Sequence, residues 1–357
     1  MRICYISHSN SHFTRPYVDY FSRQGHDVHL VSLYGANLPN AVNHHPLAKP
    51  FDPEVQKLSY LWALPKVRTI VKSLRPCIVH AHYVSSNGCL AAFSDVHPFV
   101  VSARGSDLHD AWNPIRRAAT RYALARADLV NPVSRCFERK LLSLGVPTEK
   151  MLTLTQGVDT ARFGTNRSCR SPGPVRLLCT RSLSAHYNCF RIVRALSILK
   201  GRSVPFHFTF AAGGPEEAFL RREVARRGLT ENVTFLGGYG QDELPPMLGQ
   251  ADVYVSATAF DGASISLLEA MASGLFPVVS DIPGNREWLT GHGDSLLFDP
   301  ADERQLANCL SSAIQDNGLR QRAIQVNRQQ VKLRGEREKN LAVLSESYQI
   351  LIDTFKR

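Results

Sequence analysis

Short apolar runs, each closed by glycine, proline or a polar cluster, recur along this chain and alternate with stretches whose apolar positions fall three and four apart. In the first half the runs lie at residues 2–6, 26–32, 77–80, 99–102, 129–133 and 151–155, and a helical pattern at 16–24 is closed by Gly25. Runs this short and this apolar suit strands buried on both faces, and their alternation with helices predicts a parallel sheet with right-handed crossovers. Residues 166–174, rich in Ser, Pro and Arg, lack any apolar period and read as a linker. The rhythm then restarts, with strands expected at 175–179, 206–211, 233–236, 253–256 and 276–280 and helices at 189–199 and 216–227. From about residue 338, Leu341, Leu344, Tyr348, Leu351 and Phe355 share one helical face, which predicts a helix packed across a domain surface. The expected organisation is therefore a Rossmann-like domain at 1–165, the linker, a second Rossmann-like domain at 175–337 and the terminal helix at 338–357.

Composition adds bounds to this picture. A chain of 357 residues exceeds the size at which a single core stops growing, and 44% hydrophobic with 20% charged residues are globular values. The apolar start at Ile3 to Ile6 runs directly into polar Ser7-His8-Ser9-Asn10, which is not a signal-peptide core, and no run approaches the roughly 20 apolar residues that span a bilayer. A cytoplasmic location is expected. Eight scattered cysteines form no CxxC pair and read as small buried hydrophobes, and no carboxylate pair or His/Cys spacing suits a metal, so neither metal nor cofactor is expected. The net charge of +11 is uneven: residues 1–165 hold 19 basic and 11 acidic side chains, a net of +8. Nucleic acid is not the expected partner, because no helix-turn-helix, zinc-finger or RNP pattern accompanies the charge. An anionic membrane surface or a pyrophosphate-linked acceptor fits better, with Arg116, Arg117, Arg121, Arg126, Arg135, Arg139 and Lys140 as its contact, which would make the protein peripheral on the inner face of the cytoplasmic membrane.

Chemistry concentrates between Asp261 and Leu289. Asp261, Gly262, Ala263, Ser264 and Ile265 form a polar, glycine-containing loop, and a helix is expected to begin near Ser266 with its positive end at that loop. A diphosphate suits such a place. Glu269, one turn into the helix, can accept hydrogen bonds from vicinal ribose hydroxyls. Gly274 stops the helix ahead of the 276–280 strand, and Pro283-Gly284 opens a further loop.

Two acids with seven residues between them, Asp261 and Glu269, followed by EAMASG and a Pro-Val-Val strand, resemble family 4 of the glycosyltransferases. Further matches follow in the family's order: GHDV at 25–28, VHAHY at 79–83, ADLVNPVS at 127–134, GVDTARF at 157–163, GGPEE at 213–217 and VTFLGG at 233–238. The resemblance implies a GT-B fold, two Rossmann-like α/β domains whose parallel sheets face an interdomain cleft. It also implies retaining, metal-independent transfer of a sugar from a UDP- or GDP-sugar to a glycan or lipid-linked acceptor in polysaccharide, lipopolysaccharide or glycolipid assembly. By that resemblance Arg181, Asp261 and His82 are the catalytic set. Glu269, Arg181, His186, Gly213, Gly214, Gly238, Tyr239, Gly262, Ala263, Ser264 and Ile265 hold the donor. Ser9, Asn10, His12, Arg104 and Asp107 face the acceptor and the cleft. The chain departs from the family at three places: Asp261 where Glu is usual, His186 where a lysine follows the arginine, and Arg104 where a histidine is common. His186 removes a permanent charge and introduces pH sensitivity near the imidazole range. The alternative reading is a non-catalytic subunit of the same fold that binds nucleotide or glycan in a transferase complex.

Overall fold

The computed structural model describes residues 1–9, 11, 13–33, 43–47, 56–105, 108, 113–164 and 173–356. Contacts divide the chain into two compact units, Met1–Gln156 with Glu338–Arg357, and Gly157–Arg337.

The first unit is built on β1 (Arg2–Ile6), β2 (Asp27–Ser32), β3 (Asn43–Pro46), β4 (Ile78–His82), β5 (Phe99–Ala103) and β6 (Leu129–Pro132), in the order β3-β2-β1-β4-β5-β6. Every pairing is parallel. The second repeats the plan with β7 (Val175–Cys179), β8 (Phe206–Phe210), β9 (Val233–Phe235), β10 (Val253–Ser256), β11 (Phe276–Ser280) and β12 (Leu296–Phe298), ordered β12-β11-β10-β7-β8-β9 and again parallel. In both sheets the first strand of the unit pairs on either side, so the winding direction reverses there. Ligands of doubly wound sheets sit at that reversal, beyond the carboxyl ends of the strands. Here the loops in question follow β1 and β4 in one unit and β7 and β10 in the other.

The central strands are buried throughout and mostly apolar because helices cover both faces: β4, β5, β10 and β11 are buried at every position. Two edge strands lie outside the expected runs: β3 reads Asn-His-His-Pro and has no apolar pattern, and β12, Leu-Leu-Phe, spans only three residues. The segment expected as a strand at 151–155 pairs only through a bridge from Met151 to Val130. The cause is Pro132, which has no N–H to return a ladder bond. The side-chain amide of Asn131 donates instead to the carbonyls of Leu152 at 2.8 Å and Leu154 at 2.9 Å. The Pro283-Gly284 loop is a short helix, Pro283–Arg286.

The terminal helix, Arg337–Lys356, buries Leu341, Leu344, Tyr348 and Ile352 among Ile3, Tyr5, Tyr17 and Phe21 of the first unit. Phe355, expected on that face, is 50% exposed and stacks on His97 instead. The chain passes into the second unit at Gly157 and leaves it at Arg337, and these passages touch: Val158 N–H donates to Gly335 O at 2.8 Å and Arg337 N–H to Val158 O at 3.0 Å. Gly157 has φ +66°, and a Cβ there would stand 2.3 Å from the Gly335 carbonyl oxygen. Gly157→Ala is therefore expected to destabilise the fold by about 2 kcal/mol or more, the sum of left-handed strain and a backbone clash. Urea unfolding reads this directly, and an unchanged midpoint would contradict it.

Candidate functional site

In the second unit the loops after β7 and β10 converge on Arg181. Its guanidinium donates to Asp261 Oδ2 at 2.6 Å, Ser264 Oγ at 3.0 Å and Ser266 Oγ at 2.9 Å. Its plane lies over the Tyr187 ring, 4.2 Å from the centroid. Its Nε–H is buried without a hydrogen-bond partner. Tyr254, from β10, supports the cluster by donating to Ser266 Oγ at 2.8 Å. Burial works most strongly against the charge of Arg181, but the Asp261 carboxylate, together with Tyr254, Tyr187 and Cys179, offsets it and raises the pKa, so the guanidinium is a fixed cation.

The helix Ile265–Ser273 starts behind this cation. Ser264 is its N-cap, accepting from Leu267 N–H, and Gly274 ends it in the left-handed region at φ +81°. A Cβ at Gly284 would lie 2.3 Å from the Asp261 carbonyl oxygen, so the turn at 283–284 packs directly beneath the Asp261 loop. Gly262, Ser264 and Ile265 are buried and Ala263 is partly exposed. Glu269 sits within the helix, partly accessible yet enclosed by protein on most sides. Burial raises its carboxyl to about 7, against the opposing pull of Arg337, Arg162 and Arg181. Tyr239 stands close by, hydrogen-bonded to Thr180, its hydroxyl pushed up to about 12 by burial and the Glu269 charge.

The remaining donor-side expectations fall into two groups. Gly214 serves the loop itself: a Cβ would lie 2.4 Å from the Leu183 carbonyl oxygen, while Leu183 N–H donates to Gly213 O at 3.1 Å. This clasp fixes the segment carrying Arg181. Gly238 has open space where a Cβ would stand. His186 is exposed, with its ring against Tyr187, so Tyr187 and not His186 is the aromatic neighbour of Arg181.

In the first unit His82 is 0% exposed. Its Nδ1 is 3.2 Å from Ser7 Oγ, its Nε2 is 3.5 Å from an Arg104 nitrogen, and Tyr17 packs edge-on against the ring. Burial, then Arg104 and His80, hold it neutral, well below the usual imidazole range. The structure thus leaves His82 no surface from which to touch a bound molecule. It is part of a buried chain running Thr14, Ser7, His82, Arg104, Gln156, in which Arg104 donates to Gln156 Oε1 at 3.1 Å. Ser9 is 6% exposed. Asn10, His12 and Asp107 lie outside the described residues.

Tyr187, Tyr254, Arg162 and Arg337 were assigned no role in the site from the sequence. Only Tyr187 carries a local signal, its position beside His186 in the loop after β7. Among the described residues no group of three or more His, Cys, Asp or Glu side chains is placed to hold a metal ion, and no described helix is long and apolar enough to cross a membrane.

Comparison with known proteins matches residues 168–330 to the profile described as glycosyl transferases group 1, and residues 2–134 to glycosyl transferase 4-like. The chain is 32% identical over 187 residues to a putative colanic acid biosynthesis glycosyltransferase, WcaL, of Salmonella typhimurium, covering 50% of this chain and 46% of that protein. It is 30% identical over 192 residues to the amylovoran biosynthesis glycosyltransferase AmsK of Erwinia amylovora, covering 52% and 47%. The alignments thus span about half the length of these curated relatives. The crystal structure of HepE from Anabaena in complex with UDP superposes with a TM-score of 0.81 at 17% identity, covering 98% of this chain and 100% of that one. The fold is GT-B, with two parallel six-stranded sheets.

Proposed function

We propose that this chain, which carries a glycosyl transferase 4-like domain and a group 1 glycosyl transferase domain, is a retaining glycosyltransferase. It moves a sugar from a UDP- or GDP-sugar to a glycan or lipid-linked acceptor in polysaccharide or glycolipid assembly, without a metal ion. The observation that carries this reading is Arg181, held at the start of the helix Ile265–Ser273 by Asp261, Ser264 and Ser266, with Glu269 further along the same helix.

Breaking the bond between sugar and phosphate leaves negative charge on the departing nucleoside diphosphate. A permanent cation and the N–H groups of a helix start, fixed before the reaction, stabilise that charge without reorganising. Arg181 supplies the cation. Asp261 neutralises it in the free protein, so an arriving diphosphate competes for the same N–H groups. The carboxylate it releases is then available to a sugar hydroxyl. Glu269 takes the ribose hydroxyls, and the backbone around Gly238 and Tyr239 takes the base. The acceptor attacks from the face the diphosphate leaves, which needs no side-chain nucleophile. The names of WcaL and AmsK, which refer to colanic acid and amylovoran biosynthesis, support the assignment to polysaccharide assembly, and the UDP complex of HepE supports a nucleotide in this fold.

The first unit takes the acceptor, with His82 and Ser7 positioning Arg104. The helix Pro114–Arg126 exposes Arg116, Arg117 and Arg121 together with Ile115, 78% exposed, and Tyr122, 42% exposed. Cations around apolar side chains suit the surface of an anionic bilayer on the cytoplasmic side, where a lipid-linked acceptor resides. Flotation with vesicles containing about a third anionic lipid is expected to recover severalfold more protein than neutral vesicles. Equal recovery would remove the membrane contact.

A further inference from the structure

We propose that Arg104 is a specificity-determining residue that takes an anionic oxygen group of the acceptor, either the carboxylate of an acidic sugar or a phosphate of a lipid carrier. The inference rests on the reading that the first unit takes the acceptor, and deepens it by naming the charge the acceptor brings.

Arg104 follows β5 at the carboxyl end of the first sheet, the end at which doubly wound sheets hold their ligands. Three further segments meet it there. Phe13 and Tyr17, from the segment after β1, set their rings against the guanidinium, whose Cζ lies 5.5 Å and 5.1 Å from the two ring centroids. His82, the last residue of β4, has its Nε2 3.5 Å from one guanidinium nitrogen. Gln156 Oε1 accepts from another at 3.1 Å. Ser7 backs this arrangement, 3.2 Å from His82 Nδ1 and 2.6 Å from Thr14 Oγ1. Ser7, Thr14, His82 and Gln156 are all buried, so the guanidinium is framed before any ligand arrives.

The frame is neutral. Among the described residues the polar partners of Arg104 are His82 and Gln156. A side-chain amide carries no charge, and burial, reinforced by Arg104 itself, keeps the His82 imidazole neutral. Other cations of the same unit have acids: Arg2 meets Asp27 at 2.6 Å, Arg23 meets Glu338 at 2.7 Å, and Arg126 meets Asp95. Those pairs lie at the surface. Arg104 is partly buried, and its Nε–H is buried without a hydrogen-bond partner. Enclosing a cation among rings and neutral groups costs free energy that an anion offsets. In the second unit Asp261 does this for Arg181. At Arg104 that place is left to the substrate. Hydroxyls of a neutral sugar lack the charge and the geometry to fill it, whereas a carboxylate or phosphate matches both the charge and the fork of a guanidinium.

The test compares acceptors that differ in charge, using wild type, R104Q and R104K with any accepted donor. One pair is an alkyl glucuronide and the matching alkyl glucoside. The other is a sugar joined to a lipid through a diphosphate and the same sugar joined to that lipid directly. Wild type is expected to favour the charged member of at least one pair by about ten- to a hundredfold in kcat/KM, and R104Q to bring that ratio close to one. R104K keeps the charge without the fork and should give an intermediate ratio. Preference in the glucuronide pair identifies an acidic sugar, and preference in the diphosphate pair identifies a lipid carrier. A second readout follows the Arg104 Nε–H signal by NMR, assigned by its loss in R104Q, during titration with methyl glucuronide, methyl glucoside and inorganic pyrophosphate in excess chloride. The signal should move with at least one of the two anions and stay in place with the glucoside. No charge preference in either pair, a ratio unchanged in R104Q, or a signal that neither anion moves overturns the proposal. Should R104Q fail to fold, a ratio in R104K equal to that of wild type overturns it. Diphosphate release from no nucleotide sugar would defeat the transferase reading, and the NMR titration then decides this inference by itself.

Discussion

Replacing Arg181 with alanine is expected to lower the rate of sugar transfer by about 10²- to 10³-fold, the usual consequence of deleting one preorganised donor to a developing oxyanion. The loss should fall on kcat more than on donor KM, because the diphosphate carries more negative charge while leaving than while bound. Two neighbours sharpen the expectation. Asp261 would lose its partner at 2.6 Å and stand close to an incoming diphosphate with its charge uncompensated, adding repulsion to the lost attraction. Ser264 and Ser266 would lose the donor between them. Lysine at this position restores the charge but not the fork that reaches Asp261 and both serines, so R181K should recover only part of the rate. The fold should survive, since Asp261 retains some exposure to water and Ser264 still caps its helix. Single-turnover kinetics with any accepted donor measures the effect, and an R181A enzyme within a few-fold of wild type would remove Arg181 from the leaving-group site.

Glu269→Ala carries the second large effect. Two hydroxyls donating to one carboxylate amount to a pair of charge-assisted hydrogen bonds at about 1.5–3 kcal/mol each, which predicts a loss of about a hundredfold or more in nucleotide affinity. Because the ribose is bound alike in ground and transition states, KM for the donor should rise while kcat changes little. A nucleotide lacking the 2′ and 3′ hydroxyls isolates the contact: it should bind wild type and E269A equally. If the deoxygenated nucleotide discriminates between the two proteins as strongly as the normal one, Glu269 is not the ribose ligand.

The parts of this molecule that were readable in advance share a physical reason. Strands inside the sheets, such as Val253–Ser256 and Phe276–Ser280, are buried on both faces and appear as largely apolar runs. Edge strands are not so constrained, and Asn43–Pro46 shows no pattern at all. At the site, Asp261, Ser264 and Glu269 were legible together because a helix start concentrates its capping and acidic residues within a few positions. Arg181 was legible from its place after a buried strand. Tyr254, Arg162 and Arg337 were not, since they approach from separate strands and passages and each looks ordinary among its own neighbours. His82 went the other way: a polar residue at a strand end suggested contact with substrate, while the fold surrounds it with Ser7, Tyr17 and Arg104. Burial of a single histidine is a property of packing that no local pattern reports.

The central claim, a diphosphate-releasing donor site in the second unit, is tested most directly by incubating wild type and R181A with a panel of UDP-, GDP- and ADP-sugars in the presence of a chelator and measuring the free nucleoside diphosphate. The account predicts that wild type releases diphosphate from a UDP- or GDP-sugar and that R181A releases it at least about a hundredfold more slowly. Release that is absent from every donor, or equally fast without Arg181, would contradict it.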